Sequence, residues 1–143
     1  AESLSLGDSV RFTGRVEAAD MPALYRRARV ALNPSRVDNM PNSVLEALAA
    51  GVPVVSTRVG GVPYIVEHEK NALLVEPGAV TDMAEAIVRI LNDPALAERL
   101  RVAGVETAQT YTWPKIKPQL LKVYQEAMRH QGPAALLHRG TGI

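Results

Sequence analysis

Short, continuous apolar runs alternate with amphipathic stretches along this chain, and the alternation predicts strands followed by helices. Val10 to Thr13 reads as a strand closed by Gly14. Asp20 is placed to cap a helix running through Arg27, with Met21, Leu24 and Tyr25 on one face. Val30-Ala31-Leu32 predicts a buried strand, and Asn42 to Ala50 a helix with Asn42 as N-cap and Gly51 just past its end. Val52 to Ser56 follows as a strand apolar throughout, the pattern of a parallel strand covered on both faces. Gly60-Gly61 marks a turn, Pro63 to Val66 the start of a short helix, and Ala72 to Val75 another strand.

Helices then dominate. Asp82 to Leu91 carries an apolar stripe of Met83, Ala84, Ile87, Val88 and Leu91. Asp93-Pro94 is a strong helix start, leading to Leu96, Ala97 and Leu100. Trp113 to Arg129 repeats Ile116, Leu120, Leu121, Tyr124 and Met128 at helical spacing, and Trp113 and Tyr124 are expected to pack in the core. Strands alternating with helices predict an α/β, Rossmann-like parallel sheet with helices on both faces, whose ligands bind beyond the carboxyl ends of the strands. The domain is expected over residues 1–130, with 131–143 as a loose, disordered tail. The abrupt opening at Ala1-Glu2-Ser3 reads as a domain cut from a longer chain.

The segment from Arg36 to Ser56 carries the chemistry. Asp38 stands in a loop signalled by Pro34, Asn39, Pro41 and Asn42, and Glu46 follows eight positions later at the start of the helix that ends at Gly51. Two carboxylates thus surround a helix N-terminus, whose free N–H groups and dipole favour an anion. Four loop residues reach at most roughly 14 Å, and four helical residues rise about 6 Å. Asp38 and Glu46 can therefore hold opposite ends of a diphosphate-linked molecule and need not act as an acid/base pair on one bond. The layout describes a site for a sugar nucleotide.

The frame of Asp38, seven residues, Glu46, then Ala47, Gly51, Pro53, Val54 and Val55 resembles the signature of the retaining GT-B glycosyltransferases, the group 1 family of glycogen and sucrose synthase-like enzymes. Phe12-Thr13-Gly14, Val59-Gly60-Gly61-Val62-Pro63, Asn71 to Gly78, and Tyr111-Thr112-Trp113 with Tyr124 add to it, so that the resemblance covers residues 6–128. It implies the C-terminal half of a GT-B enzyme, binding a UDP- or GDP-sugar and transferring a hexose-type sugar with retention of configuration. By resemblance, Asp38 is catalytic, contacting sugar hydroxyls or stabilising charge at the anomeric carbon. Asn39, Met40, Pro41, Asn42, Ser43 and Val44 meet the diphosphate and donor sugar. Glu46 accepts hydrogen bonds from the ribose, and Gly14, Arg15 and Val16 border the nucleobase. The chain departs from the family pattern where Asp38 replaces Glu, Asn39 replaces Gly, and Tyr64 replaces the Glu that usually follows Pro63. The resemblance further implies that a basic Arg/Lys pair and the acceptor-carrying N-terminal domain lie upstream, so that these residues alone should turn over little. Expected partners are the nucleotide-sugar donor, a glycan, lipid or small-molecule acceptor, and the protein's own N-terminal domain; membrane contact is expected only through other parts.

Each residue also has a plainer reading. Asp38 alone is a solvated loop aspartate, Glu46 a first-turn carboxylate favouring the helix dipole, and Arg58 a surface arginine near Gly60-Gly61. Composition narrows the rest. At 143 residues and 47% hydrophobic, the chain can bury a real core. A net charge of +1 without charge runs offers nucleic acid nothing. No cysteine is present, and His68, His130 and His138 are scattered, so neither a disulfide framework, a metal site nor a cofactor is expected. With no apolar stretch of membrane length and no signal peptide, the expected location is cytoplasmic. Two alternatives stand beside the transferase: a non-catalytic sugar-nucleotide or phosphate-binding Rossmann-type domain, and a GT-B relative such as a nucleotide-sugar epimerase.

Overall fold

The computed structural model describes residues 4–130. Its centre is a three-stranded parallel sheet in the order β1 (Ala31–Asn33), β2 (Val54–Thr57), β3 (Leu73–Val75). Leu32 pairs with Val55, and Val55 with Leu73. Parallel neighbours need crossover connections. Here α2 (Asn42–Ala49) links β1 to β2, and α3 (Val62–Ile65) links β2 to β3. Before the sheet comes α1 (Met21–Arg27); after it come α4 (Val80–Asn92), α5 (Pro94–Thr110) and α6 (Trp113–His130).

The alternation of a strand divides the core in two. Val54 and Leu74 point to one face, packing with Val44, Ala47 and Leu48 of α2 and Val62 and Ile65 of α3. Val55 and Leu73 point to the other, against Ile90 of α4 and Leu96 and Leu100 of α5. All four residues of β2 are buried, the apolar Val54 and Val55 and also the polar Ser56 and Thr57. The N-terminus of α5 is closed by Asp93, whose Oδ1 accepts from the Leu96 amide at 3.0 Å. Gly104 lets α5 approach α2 closely, since a Cβ there would lie 2.8 Å from Leu48 Cδ2.

Several sequence expectations are corrected. Val10 to Thr13 forms no strand, because it meets no partner whose backbone it could pair with; Phe12 is 83% exposed. Asp20 sits at the N-cap of α1 but makes no side-chain cap. Pro22 at the second helical position has no N–H to offer it, and the Asp20 carbonyl accepts from Ala23 and Leu24 instead. Pro41, not Asn42, is the N-cap of α2, its carbonyl accepting from Val44 and Leu45. Gly51 does take the left-handed conformation after the helix, at φ 71°. In α4 the inward face is Met83, Ala86, Ile87 and Ile90, while Ala84 and Val88 face out.

β1 starts one residue later than expected, and its Leu32 is 52% exposed. Trp113 and Tyr124 are not core residues: they are 62% and 60% exposed, and α6 turns its apolar positions outward among the described residues. The expected tail, 131–143, lies outside the described residues. No helix among them is long and apolar enough to cross a membrane.

Candidate functional site

The site forms where β1 and β2 end. Polar residues replace apolar ones at both strand ends, and they bond to each other rather than to water. Asn33 Nδ2 donates to Ser56 Oγ at 3.2 Å, and Ser35 Oγ donates to Asn33 Oδ1 at 2.8 Å. The Thr57 hydroxyl donates to the Ser35 carbonyl. Asn33, Ser56 and Thr57 are buried, so satisfying one another avoids the cost of unpaired polar groups in the interior. This network underlies the loop that carries Asp38. The half-buried Asp38 has Ser35 Oγ 3.3 Å from its Oδ2.

The glycine turn locks the same loop from the other side. Gly61 N–H donates to the Asp38 carbonyl at 3.0 Å. A Cβ at Gly60 would fall 1.8 Å from the Asp38 carbonyl oxygen, and one at Gly61 would fall 1.4 Å from that of Asn39. Only glycine permits two backbones to lie this close, and Gly60 also takes φ 49°. The loop at Asp38 and Asn39 is therefore held through its main chain.

Helix α2 begins directly after this loop. The amides of Asn42 and Ser43 have no protein acceptor among the described residues, whereas Val44 N–H is taken by the Pro41 carbonyl at 3.1 Å and its side chain is buried. Of the three amides expected at the helix entrance, two are thus free to meet a ligand. Met40 is exposed and Pro41 buried.

Glu46 lies in the second turn, not the first, and its exposed carboxylate faces a cleft of about 920 Å³. Arg15 and Val16 line the same cleft, with Met21, Tyr25 and Arg26 of α1 on another wall. Gly14 precedes them with φ 62° but does not line the cleft. The Tyr25 hydroxyl approaches Glu46 Oε2 at 3.2 Å and the Ser43 carbonyl at 3.3 Å. Burial, then the hydrogen bond to Glu46 and its negative charge, raise the Tyr25 phenol above its ordinary pKa, so it is a proton donor at neutral pH. The structure thus brings Glu46 together with Arg15 and Val16, while Asp38 does not line that cleft.

Arg58 pairs with Glu76 at 3.4 Å and stays partly exposed; Tyr64 is exposed, with its carbonyl accepting from the Tyr111 hydroxyl. Among the described residues, no three His, Asp or Glu side chains gather as metal ligands. Sequence reasoning passed over Tyr25, the Asn33–Ser56–Thr57 network and the docking of the glycine turn. The one advance signal was the switch from apolar to polar residues at the ends of two strands, at Asn33 and at Ser56-Thr57.

A parallel sheet with helices on both faces, and a polar cluster and helix entrance at the strand ends, defines a Rossmann-like α/β domain. The family profile described as glycosyl transferases group 1 matches residues 1–93, and the chain belongs to that family. The chain is 36% identical over 128 residues to a D-inositol 3-phosphate glycosyltransferase of Saccharomonospora viridis, covering 90% of this chain and 30% of that protein. Sucrose-phosphate synthase from Thermosynechococcus elongatus superposes with a TM-score of 0.82 at 34% identity, over 90% of this chain and 33% of that one. Anabaena Alr3699/HepE, solved in complex with UDP, gives 0.81 at 25% identity, over 87% of this chain and 34% of that one. The fold is that of the C-terminal portion of a GT-B glycosyltransferase. The chain spans about a third of the length of these relatives.

Proposed function

We propose that this domain binds the nucleoside-diphosphate sugar donor of a retaining glycosyltransferase. The observation that carries the reading is the exposed Glu46 carboxylate in a cleft shared with Arg15 and Val16, one helical turn beyond the free amides of Asn42 and Ser43. A carboxylate offers acceptor oxygens to the two vicinal hydroxyls of a ribose. The base then lies against Arg15 and Val16, next to the Gly14 turn, and the diphosphate meets the entrance of α2, where the free amides of Asn42 and Ser43 and the helix dipole favour negative charge. The transferred sugar lies toward Asp38. That a relative of the same fold is solved with UDP supports this orientation toward a nucleotide.

Transfer follows from that pose. The acceptor hydroxyl oxygen bonds to the anomeric carbon on the face from which the leaving phosphate departs. The electron pair of the broken C–O bond goes to the diphosphate, and a phosphate oxygen takes the acceptor's proton. The protein's part is positioning, with the Asp38 carboxylate stabilising the positive charge that develops on the sugar. The acceptor site belongs to the remainder of the full-length protein. No protein nucleophile is required, and the reaction is expected to proceed without metal or cofactor.

Titration of the isotope-labelled chain with UDP tests the binding mode. Amide shifts should concentrate at Asn42, Ser43, Glu46 and the Gly14–Val16 loop. Shifts confined to the α4 side of the sheet would overturn the assignment.

A further inference from the structure

Resting on that reading of Glu46, we infer that Tyr25 is a positioning residue for ribose recognition, holding one oxygen of the Glu46 carboxylate so that the other is left for the ligand. Helix α1 contributes no fully buried residue, yet Tyr25 packs its ring against the core cluster beneath α2. Its hydroxyl then reaches Glu46 Oε2 and the Ser43 carbonyl across the gap between the two helices. The phenol has one proton to give. A carboxylate is the stronger acceptor, so the proton goes to Glu46 rather than to the Ser43 carbonyl 3.3 Å away. Glu46 Oε1 has no protein partner among the described residues, and the side chain borders the cleft.

An exposed glutamate otherwise samples several rotamers, and a ligand must freeze one of them on binding. A hydrogen bond already present in the free protein removes part of that cost, which is preorganisation. The same bond joins α1, the cleft's outer wall, to α2, the phosphate-facing helix. The elevated phenol pKa agrees with this placement, because Glu46 contributes to it both as acceptor and as charge.

The test is a cycle of Tyr25→Phe, Glu46→Gln and the double substitution, titrated calorimetrically with UDP and with 2′,3′-dideoxyuridine diphosphate. Tyr25→Phe keeps the ring and removes only the hydroxyl, and its thermal unfolding should match the parent's. UDP affinity should fall about fivefold in Tyr25→Phe, the range of one lost hydrogen bond. It should fall no further when Tyr25→Phe is added to Glu46→Gln, and affinity for the dideoxy nucleotide should not respond to Tyr25→Phe. In the free protein, Glu46→Gln should lower the titration of the Tyr25 phenol, read from its ring carbon signals. An equal loss for both nucleotides, or an undiminished loss in the Glu46→Gln background, would reduce Tyr25 to a packing role. If Glu46→Gln binds UDP as well as the parent, the ribose assignment itself falls and takes this inference with it. If Glu46→Gln weakens UDP but Tyr25→Phe does not, only the role of Tyr25 falls.

Discussion

Asp38 and Glu46 flank the same helix entrance, yet the protein holds them by opposite means. The Asp38 loop is built from below by buried Asn33, Ser56 and Thr57 and clamped from the side by the backbone of Gly60-Gly61. Glu46 projects from an exposed helical position into an open cleft and meets one phenol hydroxyl. The difference matches the two tasks proposed for them. A group that stabilises a transition state must not reorganise during the reaction, so rigid placement serves it. A group that recognises a ground-state hydroxyl pair needs solvent access for the ligand and tolerates a lighter restraint.

The sharpest way to break this comparison is to neutralise the clamped end. In the full-length protein, Asp38→Asn should lower kcat about a hundredfold, the range for losing one electrostatic contact to a transition state, while UDP affinity stays near the parent's. An unchanged kcat would make Asp38 a solvated loop residue and favour a non-catalytic sugar-nucleotide-binding domain. At the other end, Glu46→Gln should weaken UDP binding roughly tenfold or more, since a charge-assisted hydrogen bond is worth about 1.5–3 kcal/mol. Isothermal titration calorimetry reads this directly, and equal affinity would remove Glu46 from the site.

The clamp itself can be tested without any ligand. Gly61 has an ordinary φ of −83°, so Gly61→Ala introduces no backbone strain of its own. The added Cβ would collide with the Asn39 carbonyl, and such overpacking costs about 1–3 kcal/mol. Thermal unfolding should shift down by several degrees, with amide shifts at Asp38 to Met40 and few at Arg15 or Glu46. Shifts spread evenly over both ends would mean that the two are one mechanical unit.

The smallest expected effect lies away from both. Glu69 is held below the usual carboxylate range, first by its hydrogen bond from Arg89 and then by the charges of Arg89, His68 and Arg99. Its folded-state pKa is depressed, so the stability it adds is present above the unfolded value and is lost as pH falls through the folded one. Both partners are partly exposed, so solvent screening keeps the contribution small. Arg89→Gln should flatten this acid-side slope in a denaturation series and leave UDP binding unchanged.

The legible parts of the fold were those whose cause is local. The unbroken apolar run at Val54 and Val55, the Asp93-Pro94 helix start and Gly51 at the helix end depend on a few adjacent residues, and each appears where expected. The signature spacing likewise matches a loop at Asp38 followed by a helix from Asn42. Val10 to Thr13 and α6 show where local pattern stops. An apolar run shows that a segment can bury surface, not what it meets, so Val10 to Thr13 forms no strand, and Trp113 and Tyr124, expected in the core, lie exposed.

From its sequence alone, this protein's class, its order of strands and helices from Met21 onward, and the segment carrying its two carboxylates were determined, because periodicity, caps and a signature spacing are properties of neighbouring residues. Only the tertiary structure decided that Tyr25 reaches Glu46 across 21 positions, that Asn33 and Ser35 bond to Ser56 and Thr57 across 23 and 22 positions, and that Gly60 and Gly61 abut the Asp38 loop. Those contacts join residues from different elements, and their distances follow from how the helices and loops pack on the sheet, which no short-range pattern encodes.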